Sequence, residues 1–318
     1  MAITRCFGCD RVARRLGFTI AVLIVMGGAS RGDANPAELT SLIPAADARQ
    51  AIAIGPHGEL YEPDGTGSWV RTRPVRTSTT CSAAGRAGAA IVASCSGAMF
   101  RLAPSGWTAI RLSRNGKPQT SVGTAAVGAV GRQLFALDRM VAGTAPKLTT
   151  APAAIAGIGA GPSGFVVATE QGLFRWTGAG LQLIPRVPRQ VLRMISERWA
   201  LVDGGALDLK TGRITRWPQG LAISGASPGP QDALVAVGAT DAATELVTVR
   251  GGRIAREPIE ILGGGAEAVG VVIDRAGRAV VALRDGRLAV RDQGRWTSVT
   301  VREQLPPAAP GAAPATSR

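Results

Sequence analysis

The feature that most constrains this chain is a recurring unit of about forty residues, built from short apolar runs separated by glycine and aspartate turns. The last copy is the clearest. Ala268 to Ile273 is an apolar run, Asp274-Arg275-Ala276-Gly277 a turn, and Arg278 to Leu283 a second run. Arg284-Asp285-Gly286 turns the chain into Arg287 to Val290, and Gln293-Gly294 leads to a last run ending at Val301. Four such runs with tight polar turns read as four antiparallel strands in a meander. Residues 51–72, 89–112, 155–184, 191–217 and 232–257 follow the same order, and residues 125–150 follow it least well. The third run of each copy begins near Glu59, Ala98, Met140, Leu173, Ala206, Glu245 and Arg287, at steps of 39, 42, 33, 33, 39 and 42 residues.

One four-stranded sheet cannot bury both of its faces. Stacking such sheets radially lets each cover the next, and closing the ring leaves no face exposed. The expected fold class is therefore all-β, a β-propeller of seven four-stranded antiparallel blades over residues 35–304, with Leu39 to Ile43 as the first strand of the first blade. Pro44 to Arg49 is the one modest helical candidate. Gly172-Leu173-Phe174, Gly286-Arg287-Leu288, Gly67-Ser68-Trp69 and Gly294-Arg295-Trp296 give a turn, a hydrophobic run and a glycine-led tryptophan. In these the chain resembles the WD40-like and regulator-type propeller repeats over about residues 36–302. The His and Trp-Asp dipeptides of true WD40 blades are absent, as is a regular Kelch double glycine. The resemblance implies fold alone, because such propellers serve as scaffolds, sensors and lyases.

The first 34 residues read as an address. Arg5, Arg11, Arg14 and Arg15 precede the apolar run Leu16 to Met26, and the small residues Gly27 to Ser30 follow. This is the order of a secretory signal peptide, cut after Ser30 or Ala34, with an uncleaved signal anchor as the alternative. The expected location is periplasmic or extracellular. Residues 305–318 are rich in Pro and Ala and read as a disordered tail. Cys6-x-x-Cys9 would leave with the leader. The mature chain then keeps two cysteines, Cys81 and Cys95, which in an oxidising compartment suggest one disulfide, against two separately buried thiols.

The formal charge is +14, and loss of residues 1–34, with five Arg and two Asp, leaves +11. Such a field favours acidic partners. Yet the basic residues are scattered and no basic helix or aromatic platform interleaves them, which argues against nucleic acid.

Catalytic signatures are missing. His57, the single histidine, sits in Gly55-Pro56-His57-Gly58, a hairpin turn. Gly225-Ala226-Ser227-Pro228-Gly229 has the spacing of a nucleophile elbow but leads into another strand, with the histidine far upstream. The glycine runs Gly157 to Gly161 and Gly263 to Gly265 precede strand-like residues instead of a helix, so they read as turns and not as phosphate loops. Asp64 and Asp203 read as turn residues instead of calcium ligands. Trp69, Trp107 and Trp296 recur just after a glycine and read as blade packing, whereas Trp176, Trp199 and Trp217 are irregular and better ligand candidates. No catalytic, cofactor or metal residue is assigned.

The reading is a monomeric, non-enzymatic, exported propeller that engages a protein or an anionic envelope component through one ring face. It would meet a membrane only peripherally or through an uncleaved anchor. One alternative is a propeller lyase, lactonase or glycosidase using carboxylates among Glu170, Glu197, Asp203 and Asp274. The other is a charge-driven binder of anionic polymer or membrane surface.

Overall fold

The structure is a computed structural model that describes residues 37–44, 51–63, 69–73, 81–87, 90–95, 98–103, 106–112, 121–123, 127–140, 143–161, 163–188, 190–262, 266–273 and 277–302. The leader, the helical candidate at 44–49 beyond Pro44, Asp64, Asp274, Gly263 to Gly265 and the C-terminal tail lie outside the described residues.

The described residues of the unit from Ala34 onward are all-β, and the architecture is a β-propeller. Five sheets are meanders of four antiparallel strands, spanning residues 81–109, 121–150, 155–183, 193–216 and 222–258. The sixth sheet has eight strands. It consists of the meanders 41–73 and 268–302, joined edge to edge where the strand Arg295–Arg302 runs parallel to Trp69–Arg73, pairing Val301 with Trp69 and Arg302 with Val70. The hydrogen-bonded count is thus six sheets, where the repeat predicts seven separate blades. The last strand is eight residues long and outreaches its own neighbour, so its free edge finds the first meander. Among the described residues, each meander is built from one continuous stretch of chain. The backbone of Ala37 and Leu39 also ties the chain start to the last meander, donating to Val301 O at 3.3 Å and Arg284 O at 3.2 Å.

The second strand of each meander shows why the runs are apolar without alternation. Gly164–Thr169 is buried along nearly its whole length because both of its faces are covered. Phe165 and Val167 pack toward Val127, Ala129 and Leu134 of the preceding meander. Val166 and Ala168 pack toward Ala200, Val202 and Leu207 of the following one. Ala279–Leu283 divides in the same way, with Ala279, Val281 and Leu283 facing Val235 and Val237, and Val280 and Ala282 facing Ala51, Ala53 and Tyr61. A period of two thus serves two interfaces at once. The fourth strands alternate toward solvent, as in Arg253–Pro258.

Near the ring axis there is little room, and the first strands are rich in Gly, Ala and Ser. This corrects the reading of Gly157 to Gly161 as a turn. Those residues lie within the strand Ile155–Gly161. A Cβ on Gly159 would stand 2.2 Å from the Ser196 carbonyl oxygen of the next meander, so glycine is required by close approach of two backbones. The marker at Met140 also shifts, because the third strand of that meander is Gln133–Ala136, and Met140 lies in the loop after it. The Gly225 to Gly229 motif falls mostly within the strand Ala222–Pro228, which removes the sharp strand-to-helix turn that a nucleophile elbow needs.

Cys81 and Cys95 sit directly opposite each other on neighbouring strands, with Cα atoms 3.8 Å apart and sulfurs at bonding distance. They pack with Ala93 beneath Phe100 and Trp107.

Candidate functional site

In each meander the first and third turns lie at one end of the strands, here called the odd-turn end. The second turn and the link to the next meander lie at the other. His57 is exposed in a second turn, and Glu170 and Asp203 are likewise exposed in second turns. Glu197 lies in a first turn, at the opposite end. The carboxylates suggested for catalysis are therefore split between the two ends. Among the described residues no three His, Cys, Asp or Glu side chains come together as a metal site, and no helix is long and apolar enough to cross a membrane.

At the odd-turn end, three consecutive meanders build a cleft of about 290 Å³. Ser163, Phe165, Arg175 and Trp176 come from the meander 155–183, Glu197, Arg198 and Lys210 from 193–216, and Asp232 from 222–258. A volume near 300 Å³ is at the lower end of the range for small-ligand sites. A second cleft of about 530 Å³ adjoins it, shares Ser163, Phe165 and Trp176, and continues past Asp138 and Arg139. Trp176 therefore stands between the two. Its ring stacks on Phe165 with centroids 5.6 Å apart and planes 9° from parallel, which fixes the indole in place.

Short side chains shape the turns that carry the charges. The buried Ser196 hydroxyl accepts from the amides of Arg198 at 3.2 Å and Trp199 at 3.1 Å, setting the turn that holds Glu197 and Arg198. Asp208, which is buried, accepts from the Lys210 amide at 2.9 Å and so presents Lys210. Gln231 and Asp232 both have positive φ, 54° and 62°, a left-handed conformation that non-glycine residues seldom adopt. That turn is anchored by the Trp199 indole, whose Nε1 donates to the Asp232 carbonyl at 3.0 Å.

The electrostatics divide into a satisfied part and an open part. Arg198 bridges Asp208, at 3.2 Å, and Asp232, and its guanidinium lies 5.7 Å from the Trp199 ring centre. The Glu197 carboxylate accepts from the Ser163 amide at 3.1 Å. Among the described residues Arg175 reaches only the Leu209 carbonyl, at 3.4 Å. Neither Arg175 nor Lys210 has a carboxylate partner among the described residues. The cleft thus offers two open cations beside an aromatic wall. Elsewhere, on the fourth strand of the meander 222–258, Arg256 forks onto the mostly buried Glu245 at 2.5 and 2.7 Å, and this hydrogen bonding holds its guanidinium above its ordinary pKa.

Of the three irregular tryptophans, Trp176 lines both clefts. Trp199 is fully buried between two meanders, and Trp217 packs half-buried against Ile223 and Ala226. Trp296 donates to Glu257 at 3.0 Å, and Trp107 donates to the Gly58 carbonyl at 2.9 Å, in keeping with packing roles.

No protein-family model matches the sequence, and no curated protein matches it. Solved structures do match. The WD40 β-propeller domain of Doa1 aligns with a TM-score of 0.58 at 12% identity, over 85% of this chain and 97% of that one. The fold is a WD40-like β-propeller. An extracellular domain from B. thetaiotaomicron aligns at 0.53 and 12% identity, over 80% of this chain and 38% of that one. Streptogramin B lyase aligns at 0.53 and 13% identity, over 79% and 92%. At these identities the likeness concerns the propeller scaffold alone.

Proposed function

We propose that the chain is an exported, non-enzymatic binding propeller that engages its partner through the odd-turn end. The observation that carries this reading is the cleft in which Arg175 and Lys210 stand without carboxylate partners beside the fixed Trp176. The signal-like leader supports export, and an extracellular domain among the similar folds is in keeping with it.

In this proposal the ring counts as seven packing units, a finer count than its six hydrogen-bonded sheets. The two halves of the eight-stranded sheet each face a different neighbour, and every adjoining pair of meanders shares an apolar cluster of its own. Cys81 and Cys95 form the single disulfide of the mature chain in this proposal. Alkylation of the secreted protein unfolded in denaturant without reduction is expected to leave both cysteines unlabelled. Replacing both by alanine is expected to cost about 3 kcal/mol in a denaturant titration. Ready labelling of both thiols would remove the disulfide from the account.

The binding role is tested by capture. The secreted chain, immobilised and exposed to envelope extract from its own source, is expected to retain a defined partner through a high-salt wash. The variant Arg175→Gln/Lys210→Met is expected to lose it. Retention of only heterogeneous acidic material that leaves with salt would reduce the protein to a charged surface. Turnover of a captured component by the purified chain would replace binding by catalysis.

A further inference from the structure

Among the described residues, the lining of the smaller cleft is unusual in one respect: its apolar part is aromatic only. Phe165 and Trp176 are joined by Ser163, Arg175, Glu197, Arg198, Lys210 and Asp232, with no aliphatic side chain among them. A peptide anchored in a groove gains most from burying apolar side chains in apolar pockets, and the described lining offers no aliphatic one. A sugar ring makes the opposite demand. Its C–H face packs on a flat aromatic surface, and its hydroxyls both donate and accept. Glu197 and Asp232 supply acceptors, while Lys210 and Arg175 supply donors. The two cations open toward the cleft then ask for an anion on that ring.

Resting on the binding reading above, we propose that this cleft binds a saccharide residue bearing an anionic substituent, a carboxylate or a sulfate, within an oligosaccharide. The indole of Trp176 is the platform. Arg175 and Lys210 hold the anion, and Glu197 and Asp232 receive ring hydroxyls. Arg198 touches no ligand in this scheme. It is a positioning residue that bridges Asp208 and Asp232 and keeps both turns in register. The adjoining cleft of about 530 Å³ on the far side of Trp176 has room for the neighbouring sugars of the chain.

The positions of the groups explain why one residue alone would not make such a site. Arg175 is the penultimate residue of a third strand, Lys210 sits in the third turn of the next meander, and the Arg175 guanidinium reaches across to the Leu209 carbonyl next to Lys210. Packing of the two meanders through Val166, Leu173, Leu207 and Leu209 therefore sets the spacing of the two cations.

The test is a titration of the purified secreted chain with four probes: a tetrasaccharide of galacturonate, its carboxyl-reduced neutral counterpart, a sulfated galactose tetrasaccharide and a tetraglutamate peptide. Calorimetry reads affinity. At least one of the acidic saccharides is expected to bind, and the comparison between them names the anion. The neutral saccharide and the peptide are expected to bind at least tenfold more weakly. Arg175→Gln, Lys210→Met and Trp176→Ala are each expected to weaken binding by about tenfold or more, with Lys210→Arg retaining most of it. Because Arg175 and Lys210 are exposed, their variants are expected to melt with the parent. Equal binding of the neutral saccharide, equal or tighter binding of the peptide, no binding of either acidic saccharide, or insensitivity to all three substitutions would each overturn the proposal. If no saccharide binds while partner capture still depends on Arg175 and Lys210, this inference falls alone and the binding reading stands.

Discussion

Trp199→Ala is expected to lower the stability of the propeller by about 3–5 kcal/mol. Trp199 is 2% exposed and fills the interface between the meanders 193–216 and 222–258, against Leu234 and Val249. Truncation removes the largest buried side chain of that cluster and leaves a cavity whose walls are strands already paired on both sides. Such walls relax little, so the cost should stand near the upper part of the range for large-to-small changes. A second consequence follows from the indole nitrogen, which donates to the Asp232 carbonyl at 3.0 Å. Without it the left-handed turn at Gln231 and Asp232 loses an anchor, and Asp232 is freed from its place beside Arg198. Trp199→Phe separates the two effects. It keeps most of the packing, gives up the one hydrogen bond, and is expected to cost about 1 kcal/mol beyond its lost volume. Denaturant midpoints at unchanged slope measure both variants. A Trp199→Ala midpoint equal to the parent would mean that the two meanders do not pack as described.

Gly159→Ala is expected to destabilise by about 1–3 kcal/mol, and Gly159→Val by more. The added Cβ would stand 2.2 Å from the Ser196 oxygen and 2.6 Å from its carbonyl carbon, so backbone must move to admit it. Because Ser196 sets the turn holding Glu197 and Arg198, the same shift is expected to disturb the cleft. Gly180→Ala is the matched control. No heavy atom lies within 4 Å of the Cβ it would add, and a change within about 0.5 kcal/mol of the parent is expected. A Gly159→Ala protein as stable as the Gly180→Ala protein would show that the first strands are not held as close to the axis as the structure places them.

The strands were legible because their burial is local in sequence. A second strand covered on both faces must be apolar at every position, so Phe165 to Ala168 and Val280 to Leu283 announce themselves without reference to the rest of the fold. The turns were legible where glycine punctuates them. Where glycine serves close approach instead, as at Gly159, the same residue type was misread as a turn, since only the neighbouring meander reveals the need. Met140 was misplaced for a related reason: the hairpin from Ala136 to Lys147 carries a long loop, and its hydrophobic residues imitate a strand. Merging of the first and last sheets depends on two residue pairs separated by more than two hundred residues of chain, which no local pattern encodes. The cleft was illegible for the same reason. Its residues run from Ser163 to Asp232, come from three meanders, and carry no spacing in common. The irregular spacing sets Trp176, which lines both clefts, and the buried Trp199 apart alike, because irregular position says nothing about burial.

The central claim is that the partner sits on the odd-turn end of the meanders between residues 155 and 258. Hydrogen exchange on the captured complex, compared with the free protein, tests it most directly. Protection is expected in the turns carrying Ser163, Glu197 to Arg198, Lys210 and Asp232, with the second turns at His57, Glu170 and Asp203 unchanged. Protection confined to those second turns would place the partner on the opposite end and contradict the account.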